Sequence, residues 1–325
     1  MQRCSRAWSF SQVTEFRLME SLAEHVSVLY TETLAGLRIV PGGRYIDATI
    51  GAAGHAAGIL EASSPDGTLL GLDADPEAIH YAGQALHRFG NRATLLAANF
   101  QTIMQTSIEC GFVQVDGILM DLGLSSRQLA HALRGFSFNL EGPLDMRLDR
   151  DQGRPASDLV NTLPQDELAT LFWELGEERH SRRIARAIVA ARPLTTTGEL
   201  ARLIAGVVGH RDRIHPATRV FQALRIAVNE ELIALSEALP QARDLLRAGG
   251  RLAVISFHSL EDRLVKRFLH MEASGCICPP ALPVCTCGHV ASMYLPKRSA
   301  IRPSAEETAR NPRSRSARLR IGERL

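Results

Sequence analysis

Between residues 45 and 122 the chain alternates short apolar runs with helix-patterned segments, and this alternation leaves few folds open. The runs are 45–49, 68–73, 93–100 and 117–122. Segments 53–62 and 76–89 lie between them, the second with Asp75 placed to cap a helix and Pro76 at its first position. Strands reached through helices pair in parallel, because a parallel partner needs a long crossover. The pattern changes after Gly135. Residues 166–174, 178–191 and 197–208 read as amphipathic helices, with no convincing strand among them. A long helix is expected from His215 toward Leu239, followed by a buried strand over 251–257 introduced by Gly249 and Gly250. The fold class expected is therefore α/β, a parallel sheet with an inserted helical domain. Its parts are an N-terminal extension 1–20, a discontinuous sheet domain 21–134 and 215–325, and a helical insertion 135–214. With 45% apolar residues in 325, both parts can bury a core.

The first strand runs into the turn "DATIGAAGH", residues 47–55. Against the dinucleotide pattern G-x-G-x-x-G, Gly51 fits, but Ala53 and Ala56 replace the second and third glycines. The second glycine lets backbone approach a pyrophosphate, so its loss weakens an NAD reading. S-adenosylmethionine (AdoMet) has no phosphate, and the acid Asp47 four residues before Gly51 matches the looser AdoMet-type turn. Asp73 ends the second strand, where a carboxylate can accept from ribose hydroxyls. Asn99 and Phe100 end the third, placing an aromatic near an adenine. Asp121 ends the fourth. Either acid alone reads equally as a helix cap; together, on successive strand ends, they favour a site.

Net charge is only +2, yet 296–325 carries nine Arg/Lys against three Glu. A basic end on a near-neutral body suits an anionic partner, or is a solvated tail. Arg179, Arg182, Arg183 and Arg186 fall at i, i+3, i+4 and i+7, which would put four guanidiniums on one helix face opposite Ile184, Ile188 and Ala191. Four of the six cysteines lie within twelve residues, Cys276, Cys278, Cys285 and Cys287, as C-x-C-x6-C-x-C. They could bind one structural Zn²⁺ or stand as free or oxidised thiols; the spacing departs from the usual finger. Neither a signal peptide nor a membrane-length apolar run is visible, which favours the cytoplasm and no membrane partner. Met19 reads as an alternative start. The pattern specifies no oligomeric state.

Longer stretches are more specific. "GILMDLGLSSRQL" (117–129), "RGFSFNLEGPLDMRLD" (134–149), "NTLPQDELATLFWELGEERHSRRIARAI" (161–188), "HPATRVFQALRIAVNEEL" (215–232), "GGRLAVISFHSLEDRLVKRF" (249–268) and "NPRSRSARLR" (311–320) resemble the bacterial 16S rRNA cytosine-N4 methyltransferases, the MraW family. The likeness runs from about His25 to Arg320. It implies a Rossmann-like AdoMet-dependent methyltransferase sheet with an inserted substrate domain. It implies methylation of a decoding-region cytosine, with 16S rRNA or the small ribosomal subunit as partner. It carries AdoMet contacts over to Ala53, Gly54, His55, Asp73, Phe100, Asp121 and Gln128, beside Asp47 and Gly51 from the turn itself. Two positions depart from the family: Ala53 stands where glycine is usual, and Ser27 where proline is usual.

Transfer to N4 needs a group to accept a proton from a poorly nucleophilic amine. Candidates are Asp121, Asp145 and His258, with Asp262 beside the last. Asp145 could instead pair with Arg147 or Arg134, and His258 could be structural. For RNA, Arg313, Arg315 and Arg318 form a second basic cluster, which doubles as a final strand with Ala317 and Leu319 inward. Competing readings are a methyltransferase for another RNA or DNA base, and an AdoMet-binding ribosome-assembly factor without turnover.

Overall fold

The computed structural model describes residues 27–209, 215–279, 282 and 284–325. The N-terminal extension 1–20 and the alternative start Met19 lie outside them. The chain runs α1 (Tyr30–Leu37), β1 (Arg44–Asp47), α2 (Gly54–Ala62), β2 (Thr68–Asp73), α3 (Pro76–Leu86), β3 (Ala93–Ala97), α4 (Ile103–Glu109) and β4 (Val115–Asp121). Six helices follow without a strand: α5 (Ser126–Ala130), α6 (Ala156–Thr162), α7 (Gln165–Gly176), α8 (Ser181–Ala191), α9 (Thr197–Val208) and α10 (Thr218–Val228). Then come α11 (Glu231–Leu245), β5 (Leu246–Ser256), α12 (Ser259–Glu272), β6 (Met293–Tyr294), α13 (Ala305–Arg310) and β7 (Arg318–Arg324).

Two compact units result. The first comprises Met1–Asp73, Glu77–Leu122 and Ala238–Leu325; the second comprises Ala74–Pro76 and Gly123–Glu237. The second unit is wider than the 135–214 expected for the insertion. The reason is α10, whose Val220, Phe221, Ala223 and Leu224 belong to the helical core.

The first unit holds a seven-stranded sheet in the order β3-β2-β1-β4-β5-β7-β6. The five strands from β3 to β5 are parallel, whereas β7 runs antiparallel to β5 and β6 antiparallel to β7. Strand order reverses between β1 and β4, where Ile46 pairs with Leu70 on one side and Ile118 on the other. Ile46, Leu70, Ile118 and Leu252 are fully buried, because a parallel sheet is covered on both faces. The strand β7 is pinned by charge as well as by its ladder. Asp262 on α12 accepts from Arg318 Nη1 at 2.6 Å and Arg320 Nε at 2.7 Å. Ala317 and Leu319 face inward, as expected.

The second unit is helical around Phe172, Leu168, Ile184, Ile188, Leu200, Ile204, Phe221 and Leu224. Two expectations change here. Ala191 is exposed, and Ala185 takes the inward place beside Ile184 and Ile188. The single long helix after His215 is two, α10 and α11, broken at Asn229 and Glu230. Glu230 has φ +50°, outside helical space. The Asn229 amide donates to Met146 O and Arg225 O, each near 2.9 Å. Its Oδ1 accepts from Leu148 N at 2.8 Å. A side chain that bonds backbone this way competes with helix continuation. Asn229→Ala should leave those backbone groups unsatisfied and lower unfolding free energy by about 1–3 kcal/mol in urea titration. A loss below about 0.5 kcal/mol, the range of ordinary surface changes, would show that the Asn229 bonds do not set the break.

Candidate active site

The glycine turn forms because β1 ends at Asp47 while its chain must reach α2 within six residues. Gly51 takes φ +47° and Ala53 takes φ +63° as the residue preceding α2. Left-handed backbone at a residue with a Cβ costs about 1 kcal/mol, which explains why glycine is usual where Ala53 stands. Gly54 is needed for space: a Cβ there would lie 2.1 Å from Ser27 Oγ. Three bonds fix the turn over the strand ends. Gly51 N–H donates to Asp73 Oδ2 at 3.0 Å. Thr49 N–H donates to Asp47 Oδ1 at 3.2 Å. Thr49 Oγ1 accepts from Asp121 N–H at 2.6 Å, tying the turn to the end of β4.

Asp47, Gly51, Ala53, Gly54, His55, Asp73 and Asp121 thus gather at the C-terminal ends of β1, β2 and β4, beside the order reversal where open α/β sheets bind ligands. Phe100 is half-buried and opens a short 3-10 turn after β3, which the Asn99 side chain caps by accepting from Gln101 N–H. The β3 strand itself ends at Ala97, three residues short of the expected run. His55 Nε2 lies 3.1 Å from Val28 O, and its Nδ1 lies 3.5 Å from Asp121 Oδ2. Asp121 Oδ1 is enclosed and has no hydrogen-bond partner among the described residues.

Electrostatics make this crevice unusual. Burial pushes the Asp47 carboxyl up to about 7, with Thr49 N–H opposing and the charge of Asp73 adding to the rise. Burial likewise lifts Asp121 well above the usual carboxylate range, with Asp47 and Glu261 reinforcing it. Desolvation and like charges both disfavour ionisation. Strand-end carboxyls raised in this way can exchange protons or take up a cationic group.

Gln128 and Asp145 belong to the second unit. Gln128 is buried in a capping box with Ser125, and its Nε2 donates to Asp75 Oδ2 at 2.8 Å. Asp75 also accepts from the buried Arg134 at 2.7 Å. Asp145 accepts from Arg147 Nε and Nη2 at 2.8 and 3.1 Å, and Arg150 lies 3.6 Å away. Burial alone would raise its carboxyl, but the Arg147 and Arg150 guanidiniums hold it below the usual range. His258 caps α12, its Nδ1 accepting from Glu261 N–H at 3.4 Å, and its Nε2 lies 3.1 Å from Glu261 Oε1. Asp262, the last candidate, is taken by Arg318 and Arg320, which hold its carboxyl low against burial.

On α8, Arg182, Arg183 and Arg186 are exposed. Arg179 sits in the turn before it, where Glu177 adopts φ +50° and Glu178 accepts from His180 N–H, so it does not continue the helical stripe. Arg313 and Arg315 are exposed on the turn before β7, whereas Arg318 is an ion-pair partner. The sulfurs of Cys276, Cys278, Cys285 and Cys287 all lie within 4.8 Å of one another. Among the described residues no helix is long and apolar enough to cross a membrane.

Sequence reasoning missed Thr49 and Glu261. Thr49 lies inside the quoted turn, yet nothing local says that its hydroxyl reaches β4. Glu261 had a readable signal, the spacing from position 258 to an acid three residues on, which is that of a capping box.

A parallel sheet whose last long strand turns antiparallel, with acids at three strand ends and a glycine turn over the reversal, defines the Rossmann-like class of methyltransferases. Comparison with known proteins agrees. The MraW methylase family matches residues 22–325, and the chain belongs to it. The chain is 56% identical to "Ribosomal RNA small subunit methyltransferase H" of Thermomicrobium roseum, over 93% of this chain and 94% of that one. It is 53% identical to the protein of that name from Dehalococcoides mccartyi, covering 93% and 86%. With the one from Syntrophotalea carbinolica the identity is 52%, covering 93% and 98%.

The raised Asp47 carboxyl has a thermodynamic consequence. The folded state keeps a proton that the unfolded state loses above its ordinary value of 3.8. This group's contribution is therefore fully present below about pH 4, falls as pH rises, and levels off above about pH 7. Asp47→Asn stays neutral throughout and keeps the Thr49 bond. Relative to wild type, its unfolding free energy should gain about 3 kcal/mol between those two pH values. Parallel pH profiles for the two proteins would show that Asp47 is ionised in the fold.

Proposed function

We propose that this chain transfers the methyl group of AdoMet to the exocyclic N4 amine of a cytosine in the decoding region of 16S rRNA, acting in the cytoplasm. The observation that carries the reading is Asp121: a carboxyl raised by its surroundings, with one enclosed oxygen lacking a partner among the described residues, at the end of β4 beside the glycine turn. The names of the relatives support a small-subunit rRNA substrate.

AdoMet supplies an electrophilic methyl on a sulfonium. The chain's residues do the rest. Backbone of the 51–54 turn can approach the cofactor closely because Gly51 carries no Cβ, while Gly54 leaves room for Ser27. Asp73, oriented by Gly51 N–H, suits a ribose. Phe100 suits the adenine. Asp121 is the best-placed proton acceptor among the candidate carboxylates, because raised basicity and an enclosed oxygen coincide there and a cationic cofactor beside it would favour its ionised form. Asp145, held by two guanidiniums, is a weaker base and better suited to accepting a hydrogen bond from an amine. Cytosine has to leave its stack to meet Asp121, and unstacked bases of structured RNA make that inexpensive.

The exposed guanidiniums of Arg182, Arg183 and Arg186, with Arg179 nearby in sequence, suit RNA phosphates by paired hydrogen bonds. Arg313 and Arg315 suit the same role. Arg318 serves the β7–α12 junction instead. The cysteine cluster takes no part in the reaction, since a zinc ion adds nothing to transfer from a sulfonium.

Purified protein, labelled AdoMet and small ribosomal subunits from a strain lacking this modification test the reading. After digestion of the rRNA, label should appear in N4-methylcytidine by mass spectrometry. Label in another nucleoside would overturn the substrate atom. No label, with AdoMet still bound, would replace the enzyme reading with that of an assembly factor.

A further inference from the structure

The connection between α12 and β6 is residues 273–292, and its described residues form no core of their own. Among its described residues none is buried, and Ile277, Leu282, Val284 and Val290 are all exposed. A segment this long that buries so little cannot offset its ordering entropy through packing. Small segments of this kind are held by cross-links or metal. The cross-link is not a disulfide: Cys276, Cys278, Cys285 and Cys287 all carry free thiols.

Their sulfurs nevertheless converge. Sγ–Sγ separations are 3.4 Å for Cys276–Cys285, 3.6 Å for Cys285–Cys287 and 3.8 Å for Cys276–Cys287. A tetrahedral Zn²⁺ bound at about 2.3 Å sets sulfurs roughly 3.8 Å apart, so the cluster has the dimensions of a four-sulfur cage. Backbone amides turn toward the same atoms. Ile277 N–H donates to Cys287 Sγ at 3.5 Å, Cys278 N–H to Cys276 Sγ at 3.4 Å, and Thr286 N–H to Cys278 Sγ at 3.4 Å. Four thiolates around a dication leave excess negative charge, and inward N–H dipoles offset it. His289 Nε2 is engaged 2.9 Å from Met271 O, which leaves the sulfur set as the ligand set.

We propose that Cys276, Cys278, Cys285 and Cys287 bind one Zn²⁺ as a closed tetrathiolate that orders the 273–292 connection between α12 and β6. Binding releases the thiol protons to solvent, with no change of oxidation state. Four sulfurs fill the tetrahedron and leave no open position for water or substrate, so the ion is structural.

The test uses the full chain, without a polyhistidine tag, purified without chelator under reducing conditions and then exposed to excess zinc and desalted. Elemental analysis should find about one zinc per chain. Cys285→Ser and Cys287→Ser should each lose it, while Cys110→Ser keeps it. Cobalt in place of zinc should give the visible absorption of tetrahedral thiolate coordination, and chelator should speed proteolytic cleavage between Glu272 and Met293. Less than about a tenth of an equivalent of zinc in wild type would overturn the proposal, as would full zinc in Cys285→Ser. One equivalent of iron would overturn the identity of the ion. These readouts do not depend on methyl transfer, so the site can fail without the enzymatic reading failing.

Discussion

The reversal of strand order between β1 and β4 is the constraint on which the functional end of the sheet depends. Crossovers leave these two strands in opposite directions, so their connections diverge from the point between the C-terminal ends. The chain fills that opening with its own polar groups. Asp47 and Asp121 end the two strands, and the Thr49 side chain and backbone bind one to the other. Burying a pair of carboxyls in one crevice disfavours charge on both. The fold tolerates this because the central strands beneath them bury apolar side chains such as Ile46, Leu70, Ile118 and Leu252 and pair along their length. The same arrangement leaves Asp121 Oδ1 enclosed with no partner among the described residues, an expense that a bound ligand can relieve.

The second unit follows a different logic. Its helices close on an apolar core around Phe172, and one buried ion pair lies within the unit. Arg134 and Asp75 are each only 2% exposed, and Gln128 also donates to Asp75. Arg134 also donates to Arg147 O and Leu148 O, so its second donor arm is occupied. A buried pair satisfied in this way gains little net stability, but removing one partner strands the other. The guanidinium therefore fixes the path of the 147–148 backbone, and that segment carries the Arg147 side chain that grips Asp145.

What the sequence revealed follows from the range of the interactions concerned. The parallel strands were legible because burial on both faces writes continuous apolar runs, and the glycine turn because left-handed backbone demands small residues at Gly51 and Ala53. The helix break at Asn229 was not legible. Its cause is a side chain bonding to residues 146 and 148, some eighty positions away, while the local pattern from 218 to 239 stays helical. The same distance hid the partner of Arg318, which lies 56 residues earlier at Asp262 and turns an apparent RNA contact into a strand anchor. Thr49 and Glu261 were hidden for a related reason: residue type alone does not say which distant group a hydroxyl or carboxylate will meet. The convergence of the four cysteines lay between these cases, since their spacing suggested a cluster and only the backbone could bring the sulfurs together.

The central claim is that Asp121, the carboxyl that burial raises at the end of β4, faces the bound cofactor, whose cationic group frees it to accept the amine's proton. A cationic group of AdoMet placed against Asp121 would favour its ionised form, so binding should expel a proton at any pH where the free carboxyl still holds one. Calorimetric titration of AdoMet in two buffers of different ionisation enthalpy counts that proton. The account predicts net proton release for the wild-type chain, and for Asp121→Asn a loss of that release with affinity weakened about tenfold, or about 1.4 kcal/mol. Equal affinity and equal proton exchange in the two proteins would contradict it.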